Sequence, residues 1–311
     1  MNRTSEPRFL SWCVAALALA ACDDPLSLPQ RIERTRVLAA RVESATDPSS
    51  AWPAPGSGAT ARWLVVDPAV DAGFTWDLRA CVTDEVNLGL PSCVRPPFAS
   101  ALQAESSLAV PNLAYETPAT GIGAAVLLHG VICSGGIPNA SATGCEGAGA
   151  DGDAVVLTIP LGANSGNTNP SLADDTILFD GEPWTASDPT GIGCGSDAGN
   201  PAPRVVAPST GHGVTLRLRG DRDRVDSDAL THGSAGTWET LQVAYAASAG
   251  TLNRPYDFVE PGDSFPEQVR HVHWEAPAPN EPVRVRIYIV LRDLRGGSDW
   301  IRRDVCVVPS A

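Results

Sequence analysis

Glycine and proline break this chain so often that long helices have no room: 29 Gly and 27 Pro are spread over 311 residues. Proline removes a backbone donor and glycine costs helix stability, so short strands joined by turns are the expected texture. The stretches between the breaks carry the alternation of strands. In Phe74 to Val82, Phe74, Trp76, Leu78, Ala80 and Val82 point one way, while Thr75, Asp77, Arg79 and Cys81 point the other. Ala59, Ala61, Trp63 and Val65 alternate in the same manner with Thr60 and Arg62. Val126 to Cys133 is apolar on both faces and reads as an interior strand, and Val155 to Ile159, closed by Pro160, as another. A run of Gly, Asn, Thr and Ser from Gly162 to Ser171 marks a boundary. Beyond it Thr176 to Phe179, Val214 to Leu218, Leu241 to Ala246, Val269 to Glu275, Val283 to Arg292 and Ile301 to Val308 are each strand-sized. A hydrophobic fraction of 43% supplies each half with its own core. The fold class expected is all-β, as two tandem antiparallel β-sandwiches over residues 36–162 and 168–311.

The amino terminus reads differently. Arg3 and Arg8 precede an apolar run, Phe9 to Ala21, which is too short to span a bilayer but suits the core of a signal peptide. It ends in Leu19-Ala20-Ala21-Cys22, which resembles the bacterial lipobox. That resemblance implies that residues 1–21 are a signal peptide and that Cys22 is the lipidated, palmitate-bearing first residue of an exported lipoprotein. Residues 22–35, with Pro25 and Pro29, then form a tether. The implied location is the cell envelope, lipid-anchored, facing the periplasm or on the outer-membrane surface. Asp23 and Asp24 resemble the inner-membrane retention signal of enteric bacteria.

Charge narrows the partners. The formal charge is -14, every one of the 22 basic residues is Arg, and the signal segment itself carries Arg3, Arg8 and Glu6, so the remainder is more acidic still. Such a surface repels phosphate backbones and anionic headgroups, which excludes nucleic acid and leaves the lipid as the membrane partner.

Of the 8 cysteines, Cys13 lies in the signal and Cys22 takes the lipid, leaving Cys81, Cys93, Cys133, Cys145, Cys194 and Cys306. An even number in an exported chain reads as disulfides, and sequence alone leaves many pairings open. Cys81 with Cys93 and Cys133 with Cys145 enclose short loops rich in Gly, Pro, Ser or Asn and are expected as local staples, which leaves Cys194 for Cys306. No pair has the close spacing of a structural zinc site or of a redox Cys-x-x-Cys.

The last quarter carries a resemblance. Ala249-Gly250-Thr251-Leu252 is followed by Trp274-Glu275-Ala276-Pro277, then by a strand ending in Arg292-Asp293-Leu294-Arg295-Gly296-Gly297, then by a final strand. This resembles the closing strands of bacterial immunoglobulin-like modules. Pro55-Gly56 and Asp67-Pro68 flank a strand in the first half, which looks like a more divergent copy with a long insertion between Thr83 and Ala124. As a whole the chain resembles the lipoproteins that high-GC, predatory or gliding bacteria carry in numbers, with immunoglobulin-like β-sandwich modules. These motifs shape turns and say little about function.

Few groups offer chemistry. His271, His273 and Glu275 share one face of a strand, so two imidazoles and a carboxylate could converge on a divalent metal; the competing reading is a solvent-facing polar row, with Val272 and Trp274 packing inward. Asp151-Gly152-Asp153, Asp174-Asp175 and the run Asp221 to Asp228 are acidic, but none has the frame of a calcium loop. There is no Gly-x-Ser-x-Gly around Ser134, Ser165 or Ser196. His129 reads as a core histidine, and His212 and His232 lie in Gly-rich turns. Trp63, Trp76 and Trp274 occupy core-type positions, whereas Trp52, Trp184, Trp238 and Trp300 lie nearer turns, where aromatics either form a binding platform or plug the ends of sandwiches. The expectation is a non-enzymatic, lipid-anchored binding or scaffolding protein with no cofactor, presenting loops to a protein or glycan. The alternative is a metal-binding protein or metal-dependent hydrolase using His271, His273 and Glu275.

Overall fold

The computed structural model describes residues 28–69, 73–84, 91–119, 124–161, 166–186, 194, 202–209, 211–219, 224–225, 237–260 and 267–310. The expected signal peptide, residues 1–21, and Cys22 after it lie outside the described residues, as does His232. Among the described residues no helix is long and apolar enough to cross a membrane.

The fold is all-β. The first half contains β1 (Arg36–Ser44), β2 (Gly58–Val66), β3 (Phe74–Asp84), β4 (Ala99–Ser107), β5 (Asn112–Glu116), β6 (Ala124–Ser134), β7 (Ile137–Pro138), β8 (Cys145–Glu146) and β9 (Asp151–Pro160). β1-β2-β5 form one antiparallel sheet and β4-β3-β6-β9 another, with β7 and β8 as a separate pair. Trp63 and Leu113 from the first sheet meet Leu78, Leu128 and Ile159 from the second in one core, which gives a sandwich-like layering. β6, apolar on both faces, is indeed interior, between β3 and β9. The stretch expected as an insertion between Thr83 and Ala124 is part of the body: β4 and β5 each take an edge of a sheet. β4 has almost nothing to bury on either face, which hid its alternation, whereas β5 turns Leu113 and Tyr115 into the core.

The second half contains β10 (Ile177–Phe179), β11 (Glu182–Pro183), β12 (Arg204–Ala207), β13 (His212–Arg219), β14 (Arg224–Val225), β15 (Thr237–Trp238), β16 (Leu241–Ala247), β17 (Thr251–Leu252), β18 (Tyr256–Val259), β19 (Glu267–Glu275), β20 (Val283–Arg292) and β21 (Ser298–Pro309). β11-β10-β13-β19-β17 and β12-β21-β20-β16-β18 form two five-stranded sheets, and a second core runs between them, from Leu216 and Trp274 on one side to Val243 and Ile289 on the other. The expected antiparallel order is broken where β12 runs parallel to β21, with Arg204 beside Cys306.

Three disulfides join Cys81 to Cys93, Cys133 to Cys145 and Cys194 to Cys306. The first holds the segment around Cys93 against β3, where Val94 N donates to Val82 O and Phe98 N to Ala80 O. Cys81, on the polar face of the strand, is thereby buried.

The described parts of the segments read as tether and linker, residues 28–35 and 166–171, bear buried residues. Ile32 is buried, its amide donates to Ala247 O, and Ala247 N donates to Gln30 O, so residues 30–32 lie along β16 of the second half. Asn167 and Asn169 are buried as well. Asn167 Nδ2 donates to Asp293 Oδ2, Asn169 Nδ2 to Val42 O, and Ser298 N to Asn169 Oδ1. An Asn-rich stretch marks a boundary when its amides meet water; here the Asn169 amide bonds backbone groups of both halves and the Asn167 amide a carboxylate. Arg41 reaches Ser298 O and Asp299, Ser298 Oγ donates to Ala40 O, and Arg292 donates to Leu38 O.

The turn motifs acquire a physical meaning. Asp293 Oδ1 accepts from Arg295 N at 2.7 Å and Gly297 N at 2.8 Å, so this carboxylate closes the turn between β20 and β21. A Cβ on Gly297 would come within 2.2 Å of Asp293 Oδ2. Gly250, at φ +80°, lies under the Trp274 indole, whose Nε1 donates to Ala249 O.

Candidate functional site

The polar row on β19 is where the alternation placed it: His271, His273 and Glu275 are exposed while Val272 and Trp274 are fully buried. The His271 ring covers Gly213, where a Cβ would approach its Cε1 to 2.6 Å, and Nδ1 shares a 2.9 Å hydrogen bond with Thr215 Oγ1. His273 meets it edge-on, with ring centroids 4.5 Å apart. Burial, then His273 and Arg254, lower the His271 pKa. His271, His273 and Glu275 do not bring three ligand atoms together. Among the described residues the one grouping within 4.8 Å is Cys81, Cys93 and His129, and its two sulfurs are in a disulfide. A cystine has no thiolate to offer a metal.

The acidic pairs serve the backbone. Asp151 Oδ2 accepts from Thr35 N and Asp153 Oδ2 from Val37 N, which links β9 to the start of β1 across the two sheets. Asp174 pairs at 2.7 Å with Arg303, an arginine only 1% exposed that also donates to Trp184 O. The Asp221 to Asp228 run lies outside the described residues save for Arg224 and Val225. Of the tryptophans near turns, Trp184 is fully buried and donates to Asp304 O, while Trp52 donates to Arg295 O and lies under its guanidinium. Trp184 therefore plugs the core, Trp52 joins the halves, and the side chain of Trp238 is outside the described residues.

Two features were not legible beforehand. The first is an open cleft of about 1060 Å³ at the end of the first half where the edge strands β4 and β5 part, away from their connecting turn. Phe98, Ala99, Tyr115, Glu116 and Arg95 line it, together with Gly56, Pro96 and Pro118. Phe98 is 41% exposed and tilts against Tyr115, with ring centroids 6.5 Å apart. The Tyr115 hydroxyl is buried without a hydrogen-bond partner, and burial pushes its pKa upward.

The second is a chain of hydrogen bonds at the end of the second half. Asp180-Gly181 is the two-residue turn between β10 and β11, with φ of +52° and +88°, the left-handed pair that hairpins of this length require. From it Asp180 Oδ1 accepts from Gly213 N and Oδ2 lies 2.7 Å from His212 Nδ1. His212 Nε2 lies 2.8 Å from Ser209 Oγ. The ring stacks on Phe179 at 5.3 Å between centroids and tilts against Trp274. His212 points to the core side of its sheet, along with Val214 and Leu216, so it lies across the sheet from His271 and His273. A Ser-x-x-His spacing has no sequence signature; the Asp-Gly dipeptide before a strand was the one available signal, and it marks only the turn.

Comparison of the sequence with protein-family models and with curated proteins finds no match.

Proposed function

We propose that the chain is a lipid-anchored cell-envelope protein, exported and lipidated at Cys22, whose two immunoglobulin-like β-sandwiches hold out a binding cleft to an extended segment of a partner protein. The open cleft between β4 and β5 carries this reading. Ligand sites are concave, mostly apolar and furnished with a few polar groups, and this one combines an exposed phenyl ring with Arg95 and Glu116. Leu102, Leu108 and Val110, on β4 and the turn after it, are also exposed, and both β4 and β5 are sheet edges. An edge with apolar neighbours suits a protein segment that adds as a strand. The acidic surface and the absence of Lys support a membrane attachment made by acyl chains rather than by charge.

Two measurements test the halves of the proposal separately. Labelled palmitate should enter the full chain and be lost in Cys22→Ser; equal incorporation in that variant would overturn the anchor. For the cleft, a panel of short extended peptides is titrated against the detergent-solubilised chain. Saturable binding weakened at least roughly tenfold by Phe98→Ala is expected, a loss of about 1.4 kcal/mol. Failure of every peptide to bind, or binding indifferent to Phe98, would overturn the cleft reading.

A further inference from the structure

The constellation in the second half goes beyond a binding role. We infer that Ser209, His212 and Asp180 form a nucleophilic triad that hydrolyses carboxylic esters with short acyl groups. Two pieces of chain supply it, since Ser209 and His212 are only three residues apart and Asp180 is distant in sequence. Ser209 follows the end of β12 in one sheet, while His212 opens β13 and Asp180 turns the β10–β11 hairpin in the other. Gly211, just before His212, has φ +81°, and the side chains of Ser209 and His212 meet at 2.8 Å.

The order of contacts sets the roles. A carboxylate only accepts, so Asp180 Oδ2 fixes the proton on His212 Nδ1 and leaves Nε2 to accept from the Ser209 hydroxyl. Asp180 is itself held at two further points, its Oδ1 by Gly213 N and its own amide by Gly213 O. Phe179 stacks on the imidazole and blocks its rotation. This is the nucleophile, base and orienting group of serine hydrolases, recognised by geometry rather than by chain position.

In the reaction Ser209 Oγ bonds to the ester carbonyl carbon while its proton passes to His212 Nε2. The carbon–oxygen bond to the alcohol then breaks, and the alcohol leaves with that proton. Water repeats the sequence: it gives a proton to Nε2, its oxygen bonds to the acyl carbon, and Ser209 departs with the proton, releasing the acid. Ser209 and His212 are half-buried and Asp180 is exposed, so the site is shallow. Nothing lies within 4 Å of the position of a Cβ on Gly211, which leaves that side open. A shallow, open site suits a small acyl group on an exposed carrier rather than a long chain that must be enclosed.

The test uses the full chain in detergent, treated with a fluorophosphonate probe and mapped by mass spectrometry, alongside p-nitrophenyl acetate turnover. We expect an adduct on Ser209, and turnover reduced at least about a hundredfold in Ser209→Ala and His212→Gln, with a smaller loss in Asp180→Asn. Ser209→Ala removes one surface hydroxyl, and an unchanged melting temperature confirms that its fold is intact. The inference fails if Ser209 stays unlabelled in the folded wild-type protein, or if Ser209→Ala hydrolyses the ester as fast as wild type. It also fails on acyl length if p-nitrophenyl decanoate is turned over faster than the acetate. None of these outcomes depends on peptide binding at the cleft.

Discussion

At the scale of single residues, the groups that matter are those whose surroundings oppose them. A buried hydroxyl without a partner costs about 1–3 kcal/mol, so Tyr115→Phe should raise the stability of the protein by about 1 kcal/mol and leave peptide binding at the cleft unchanged. A chemical melt and a peptide titration on the same variant check both. Gly297→Ala should do the opposite of stabilising: its Cβ would strike Asp293 Oδ2 and open the turn, at a cost of about 1–3 kcal/mol. His129 adds a pH dependence. Burial, then Arg79, lower its pKa, so below the ordinary value the unfolded chain takes a proton that the folded chain refuses. Stability should therefore fall as the pH drops through the ordinary histidine range, and His129→Gln should flatten that slope in denaturant titrations from neutral to mildly acidic pH.

Among elements, the disulfides and the carboxylates that bind strands have unequal reach. Cys194 and Cys306 are 112 residues apart, whereas the other two pairs are each 12 apart. In the chain-entropy account, loss of the long loop costs about 4–5 kcal/mol and loss of a short one about 3 kcal/mol. Cys306→Ser should lower the unfolding free energy more than Cys93→Ser does, and equal losses would refute that ordering. β12 depends on the long link in particular, since it pairs with β21 over only four residues.

For the whole molecule, the packed linker couples the two halves. Asn169 joins Val42 to Ser298, Trp52 lies under Arg295, and Ile32, Val66, Ala246 and Tyr288 form a small core of their own. Two cores joined by buried hydrogen bonds should unfold as one unit, because exposing either face strands polar groups of the other. Calorimetry is expected to give a single transition for the wild type and two for a Trp52→Ala/Asn169→Ala variant. Two transitions in the wild type would show that the halves are independent.

How much of this was legible from the chain follows from the range of the forces concerned. Period-two alternation and Gly/Pro spacing are local, so the all-β class, the interior strand β6 and the inward faces of β3 and β19 could be read from neighbouring residues alone. The outward row of His271, His273 and Glu275 followed from the same alternation, but whether three such groups converge depends on strand twist and on Gly213 and Thr215 across the ladder. Edge strand β4 escaped because it buries little, and β5 because two inward residues, Leu113 and Tyr115, are too short a pattern to read. The linker escaped because an asparagine looks the same whether it meets water or a backbone amide. Ser209, His212 and Asp180 met only in the tertiary structure, since their contacts join a hairpin turn to the ends of strands in two sheets. Local pattern determined what each segment could be, and long-range packing alone decided which side chains came to face one another.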